Sequence, residues 1–279
     1  MPKRLEGHFK GYDQTDLFYQ TWTPDKVRGL FVLTHGLAEH SDCYHPLASR
    51  LADDGWKVFA WDMRGHGRSE GKRGFVRHIS NYVDDLDCFY KLIAKERDGL
   101  NLVMFGHSMG GLVTMRYMET MRIEATALAL SSPALGLTIQ VPKLKEQLAR
   151  IAIKWMPSLT LHNEIKYEDL SRPEEMQKFY RTDTLRHDKV SPGLFLSMLE
   201  SFPLARAEAS TLQLPVLMQL AGDDRLVSSQ ASREVFEFLP NKKNQLIVYS
   251  ESLHEIFNCV DRETAIADLK KFISPYLGA

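Results

Sequence analysis

Residues 101–111 read NLVMFGHSMGG, and the rest of the chain is best read outward from this stretch. Leu102–Phe105 is a short apolar run. Gly106-His107-Ser108-Met109-Gly110 follows as G-x-S-x-G, with a further glycine at 111. An apolar strand that breaks into this pentapeptide and then into a helical pattern is the signature of a nucleophile elbow. The serine sits at the tip of a turn so sharp that side chains two positions before and after it would collide, so glycines stand there. The helix that follows turns its free N–H groups toward the serine, where they favour developing negative charge. The competing reading is a glycine-rich turn with an N-cap serine.

On both sides of the elbow, apolar runs alternate with helical spacing. His8–Thr23 reads as an antiparallel hairpin at a sheet edge, turning at Asp13–Asp16. Leu30–Thr34 and Trp56–Trp61 read as strands. Tyr44–Asp54 and Asn81–Lys95 read as helices, the second with Tyr82, Leu86, Phe89 and Ile93 on one face. After the elbow come a helix from Met109 to about Thr120 and a strand at Ala125–Leu130. The pattern resumes with strand Pro215–Leu220, helix Ser229–Leu239, strand Gln245–Tyr249 and helix Arg262–Tyr276. This alternation implies an α/β fold with a mostly parallel sheet and helices on both faces. In such sheets ligands bind at the carboxyl ends of the strands, where His35-Gly36, Asp62, Ser108 and Ser131 all fall. The loop Asp62–Gly74 (DMRGHGRSEGKRG) lacks the Gly-Lys-Ser/Thr ending of a phosphate loop and reads as a connector.

Residues 135–211 interrupt the alternation with helical patterns and no convincing strand. They read as a helical cap inserted into a core formed by residues 1–134 and 212–279. Val141, Leu144, Leu148, Ile151 and Trp155 make one apolar stripe, with Lys143, Lys145, Arg150 and Lys154 away from it. Either this helix packs on the protein body, or its stripe lines a lipid entrance or rests on a membrane surface.

Composition excludes several classes of function. The 279 residues are 44% hydrophobic and 25% charged, as in an ordinary globular enzyme. A formal net charge of −1 argues against nucleic acid as partner and against bulk attraction to anionic membranes. Cys43, Cys88 and Cys259 form no metal spacing and no disulfide framework, so buried free thiols in a reducing compartment are expected. No apolar run approaches the ~18 residues of a membrane span, and the first residues carry no secretory h-region. A cytoplasmic location, with at most peripheral membrane contact, is the expectation.

A serine hydroxyl needs a base to take its proton, and the base needs an orienting carboxylate. His254 follows the last expected strand, where the fold would return it to Ser108. Asp223 and Asp224 at the end of strand 215–220 are both candidates for the carboxylate. The tetrahedral oxygen needs two N–H donors. Met109, after the nucleophile, is one, and Leu37 in the loop His35–His40 is the expected second. The alternative for that loop is a turn with no catalytic part.

Taken together, HGLAEHSDCY (35–44), DMRGHGRSEGKRG (62–74), GHSMGG (106–111), DRLV (224–227) and His254 resemble the monoacylglycerol lipase and lysophospholipase branch of the α/β-hydrolases. The likeness runs over most of the chain and includes LTLHNEI (159–165) and LSRPEEMQKFYRTDTL (170–185). It implies the α/β-hydrolase fold with a helical lid over an apolar acyl tunnel. It selects Asp224 over Asp223 through the D-R-L-V spacing, giving Ser108, Asp224 and His254 as triad with Leu37 and Met109 as oxyanion donors. It places Glu39, His107 and Tyr180 around the polar head group and calls for no metal or organic cofactor. Two departures stand out. Cys43 occupies the place of an arginine in the mammalian lipases, and Phe257 that of a second histidine. Both remove polar groups near the expected glycerol site. The expected function is hydrolysis of single-chain lipid esters, monoacylglycerol first. A lysophospholipase, a general carboxylesterase and a non-catalytic hydrolase-fold protein are the rivals.

Overall fold

The computed structural model describes residues 2–138 and 142–278. In chain order the strands are β1 (Lys3–Lys10), β2 (Asp16–Thr23), β3 (Gly29–Thr34), β4 (Trp56–Trp61), β5 (Leu102–His107), β6 (Ala127–Ser131), β7 (Leu161–His162), β8 (Lys189–Val190), β9 (Val216–Ala221) and β10 (Gln245–Tyr249). Helices α1 (His45–Asp53), α2 (Ser80–Ala94) and α3 (Ser108–Met121) lie between the earlier strands. Helices α4 (Lys143–Trp155), α5 (Tyr167–Leu170), α6 (Glu174–Thr182) and α7 (Pro192–Glu208) lie between β6 and β9. Helices α8 (Ser229–Phe236) and α9 (Arg262–Ile273) complete the chain.

Eight strands form one sheet in the order β1-β2-β4-β3-β5-β6-β9-β10. The β1–β2 and β2–β4 pairs are antiparallel, and all the others are parallel. This is the α/β-hydrolase architecture. Strands β3, β5 and β9 are buried along their whole length, which accounts for their unbroken apolar sequences. Side chains alternate between two cores. Leu30, Val32, Leu102 and Met104 join the core under α2 and α3. Phe31, Leu33, Val103 and Phe105 join the core under α1 and α9. Burying each such side chain contributes about 1.5–3 kcal/mol.

Two differences from the sequence reading stand out among smaller shifts of element ends, such as α8 stopping at Phe236 rather than Leu239. Strand β1 starts at Lys3 rather than His8. Its first four residues, KRLE, are exposed at the sheet edge, so no apolar period marks them. A small antiparallel ribbon, β7–β8, occurs where no strand was expected. Two residues per strand are too few for an alternating pattern to register.

The segment between β6 and β9 leaves the sheet and returns to it, since β6 and β9 are direct neighbours. Within it, α4 buries none of its residues. Leu144, Leu148, Ile151 and Trp155 are 66, 57, 56 and 75% exposed, so the stripe does not pack on the protein body. Val141 lies outside the described residues. Among those described, no helix is long and apolar enough to cross a membrane. All three cysteines are free, but only Cys259 is buried. Cys43 and Cys88 are half-buried, contrary to the expectation.

Candidate active site

Strand β5 passes into α3 with no linker, and Ser108 takes the strained junction. Its φ is +51°, in the left-handed region, at a cost of order 1 kcal/mol or more. The flanking glycines make that turn possible. A Cβ on Gly106 would stand 2.5 Å from the Gly110 carbonyl oxygen, and one on Gly110 would collide with the His35 carbonyl.

The parallel order brings the ends of β5, β9 and β10 to one rim of the sheet. The Ser108 hydroxyl lies 2.8 Å from His254 Nε2, and His254 Nδ1 lies 2.8 Å from Asp224 Oδ2. With Nδ1–H donating to the carboxylate, Nε2 is left to accept from the serine. Asp224 Oδ1 accepts the N–H groups of Leu226 and Val227 at 3.0 Å each, which fixes its rotamer. Burial works against the charge on Asp224, but His254 and these amides outweigh it and hold the carboxyl below its ordinary value. Burial likewise disfavours the His254 imidazolium, and Asp224 reverses the balance and raises it. Asp223 turns away and pairs with Arg172 at 2.6 Å and Arg225 at 3.4 Å.

The His35–His40 loop is pinned against the elbow. His35 Nδ1–H donates to the Gly36 carbonyl at 2.7 Å, and Nε2 accepts the Met63 N–H at 2.9 Å. Burial lowers the His35 pKa to about 4, so the ring is neutral and this tautomer holds. A Cβ on Gly36 would sit 3.1 Å from Ser108 Cβ, so only glycine lets the loop come this near the nucleophile. Leu37 and Met109 both border the cavity above Ser108. His107 bonds through Nδ1 to the Ser131 carbonyl at 3.1 Å, and its ring lies 4.9 Å from that of His254. Burial, followed by the neighbouring His254, depresses its pKa to about 3.

The cavity measures about 210 Å³. Ile165, Phe195, Met198 and Leu226 give it apolar walls, while Ser108, His254, His107, Glu39 and Glu255 supply its polar edge. Glu39 Oε1 accepts the Gly36 N–H and, at 2.8 Å, the Tyr44 hydroxyl. Among the described residues its Oε2 is buried without a hydrogen-bond partner, with Arg186 Nη2 3.7 Å away. Burial, with Glu255 nearby, raises the Glu39 pKa to about 7. Glu255 has the same burial but more partners. Arg186 reaches it at 3.1 Å, Tyr180 Oη at 2.7 Å and Asn258 Nδ2 at 2.9 Å. Burial would raise its pKa, and the Arg186 charge overrides that and brings it to about 2.

Of the residues singled out in the sequence, Ser108, Asp224, His254, Leu37, Met109, Glu39 and His107 converge here. Tyr180 does not border the cavity; it is buried behind Glu255, with the Arg186 guanidinium 4.1 Å above its ring. Phe257 packs edge-on against Phe105 in the core and is no part of the cavity wall. Cys43 stands 3.6 Å from Arg186 Nη2, so an arginine does reach this side of the site, from 143 residues downstream. Arg186 and Glu255 escaped the sequence reading. Glu255 had only its place beside His254 to mark it, and an ion pair spanning 69 residues leaves no local pattern.

The elbow, the strand order and the rim of polar side chains together define an α/β-hydrolase. Residues 25–261 match the family described as serine aminopeptidase, S33, and the chain belongs to that family. It is 31% identical to a monoacylglycerol lipase of Mycolicibacterium smegmatis over 276 residues, 98% of each chain. It is 29% identical to a phospholipase of Bacillus subtilis, over 92% of this chain and 99% of that one. The crystal structure of the Paleococcus ferrophilus monoacylglycerol lipase superposes with a TM-score of 0.84 at 30% identity, covering 98% of this chain and 99% of that one. Within the superfamily the chain falls in the monoacylglycerol lipase and lysophospholipase branch, and it is a carboxylic ester hydrolase.

Proposed function

We propose that this enzyme hydrolyses single-chain lipid esters, monoacylglycerol to glycerol and fatty acid first among them, through an acyl-enzyme on Ser108. The hydrogen-bonded run Ser108–His254–Asp224, with both contacts at 2.8 Å, carries the reading. Ser108 attacks the ester carbonyl while His254 takes its proton. Asp224 orients the imidazole and stabilises its charged form. The N–H groups of Leu37 and Met109 receive the oxyanion, a role in which one donor is worth about 3 kcal/mol of barrier. The alcohol leaves with the proton from His254, and water activated by the same ring releases the fatty acid.

The apolar wall accepts one acyl chain. Glu39 and His107, at the polar edge, receive the hydroxyls of the leaving alcohol, and Tyr180 acts on that edge only through Glu255. A neutral polyol suits two buried carboxylates better than a phosphate does. Residues 135–211 form the lid over a core of residues 1–134 and 212–279. The exposed stripe of α4, flanked by Lys145 and Lys154, rests on the lipid surface that holds the substrate. Lysophospholipase activity is the second reading. Lys145 and Arg225 border the cavity and offer cations to a phosphate.

Turnover of a chain-length series of monoacylglycerols, compared with lysophosphatidylcholine and p-nitrophenyl acetate, separates these readings. The expected result is highest kcat/KM on a long-chain monoacylglycerol and none in Ser108→Ala. Preference for lysophosphatidylcholine would select the second reading. Turnover of the short ester alone would remove the lipid reading.

A further inference from the structure

Ser108 is not the only strained residue beside the cavity. Ala38 directly follows Leu37, and its φ of +68° also lies in the left-handed region. A residue with a Cβ leaves that conformation unless its surroundings hold it there. The strain is comparable to the net worth of one hydrogen bond, so a single contact can decide whether the turn persists. Such a contact is present. The Ala38 carbonyl accepts the His187 N–H at 3.3 Å. His187 lies in the stretch between α6 and β8, so the contact joins the β6–β9 segment to the loop beside the nucleophile.

His187 is itself held from two sides. Its Nδ1 accepts the Lys189 N–H at 3.1 Å, and the Ser191 N–H donates to the Gly74 carbonyl at 2.7 Å. A Cβ on Gly74 would stand 2.1 Å from the Lys189 carbonyl oxygen, so this stretch lies directly against the 62–74 loop. The His187 ring is centred 4.6 Å from that of His66, and the His66 ring 5.2 Å from that of His35. His35 in turn bonds Gly36 and Met63, as described above. Burial, followed by the Arg73 charge, lowers the His187 pKa to about 4. Burial, followed by His187, holds His66 well below its ordinary value. The three rings are therefore neutral at pH 7 and pack without repulsion.

We propose that His187 is a positioning residue for the oxyanion hole, the point at which the β6–β9 segment holds Ala38 in its strained turn and so aims the Leu37 N–H. The inference rests on the reading of Leu37 as an oxyanion donor. When the His187 contact is lost, Ala38 relaxes toward negative φ and residues 36–39 leave their path, taking the Leu37 donor with them. Seating of the segment and competence of the site are thereby coupled. The ground-state ester loses little, because the donor acts on charge that develops in the transition state.

The test uses the whole enzyme and a soluble ester, p-nitrophenyl butyrate, so that lipid binding does not enter. It also measures inhibition by a trifluoromethyl ketone, whose adduct with Ser108 carries an oxyanion. His187→Ala should lower kcat about tenfold and raise the Ki of the ketone about tenfold, with KM within about twofold of the wild type. Glycine takes positive φ without steric cost. His187→Ala/Ala38→Gly should therefore recover most of the lost kcat and inhibition. A merely loosened fold would reduce the active fraction, counted by fluorophosphonate titration, and leave Ki where it was. An unchanged Ki in His187→Ala would overturn the proposal, and so would a double variant no better than the single one. A wild-type enzyme that the ketone does not inhibit would instead remove the acyl-enzyme reading itself, so the two failures are told apart.

Discussion

Asp223 and Asp224 are neighbours at the end of β9, yet their surroundings differ in kind. Asp224 is buried and accepts from His254 and two backbone amides, while Asp223 pairs with two arginines at the surface. Exposed pairs of that type contribute little. Asp224→Asn should therefore lower kcat by on the order of 10³–10⁴-fold, whereas Asp223→Asn should leave it within about twofold. Steady-state esterase assays on the two variants check this. The pH profile carries a further sign. Catalysis needs neutral His254, and Asp224 raises the pKa of that ring above its ordinary value. Activity should rise with pH along an acid limb displaced upward from 6.5, the ordinary value of a histidine. Asp224→Asn should move that limb down, and an unmoved limb would assign it to another group. At this scale the sequence is readable where chemistry demands a fixed order of residue types, as at Ser108, Asp224 and His254. It is silent on Arg186, whose importance comes only from its position beside Glu255.

At the scale of elements, the buried strands announce themselves because both faces must be apolar, and the elbow because its turn admits only glycine at 106 and 110. Strand β1 and the β7–β8 ribbon do not, since exposed or very short strands have no pattern to keep. Helix α4 is the instructive case. Its stripe is plain in the sequence, but periodicity cannot say whether a stripe meets protein or lipid. The structure leaves Leu148 and Trp155 outside. Each should contribute about 1.5–3 kcal/mol when it enters an apolar phase. The double variant Leu148→Glu/Trp155→Glu should bind vesicles of phosphatidylcholine and phosphatidylglycerol at least about tenfold more weakly. Its hydrolysis of a soluble short ester should not change. Co-sedimentation with the vesicles measures this, and unchanged binding would remove α4 from the membrane contact.

At the scale of the whole molecule, buried ion pairs join the β6–β9 segment to the sheet core, Arg186–Glu255 and His40–Asp183 among them. Arg186 comes from the segment and Glu255 from the loop after β10, and both side chains are almost fully buried. Removing one partner strands the other, at a cost of about 3–5 kcal/mol. Arg186→Met should therefore lower stability by that amount in urea unfolding, and Arg186→Met/Glu255→Met should recover most of it. If the single variant were as stable as the wild type, the pair would not hold the two parts together. Such contacts are what the sequence hides best, because they are set by the fold and not by neighbours along the chain.

The central claim is that Ser108 is the nucleophile of an ester hydrolase, and its most direct test is covalent. A fluorophosphonate probe reacts with a serine only when the serine is activated. Incubated with the folded enzyme and mapped by mass spectrometry, it should yield one adduct, on Ser108. A long-chain monoacylglycerol should slow that labelling, and Ser108→Ala should abolish it together with turnover. Labelling of a different serine, with Ser108→Ala still hydrolysing monoacylglycerol at the wild-type rate, would contradict the account.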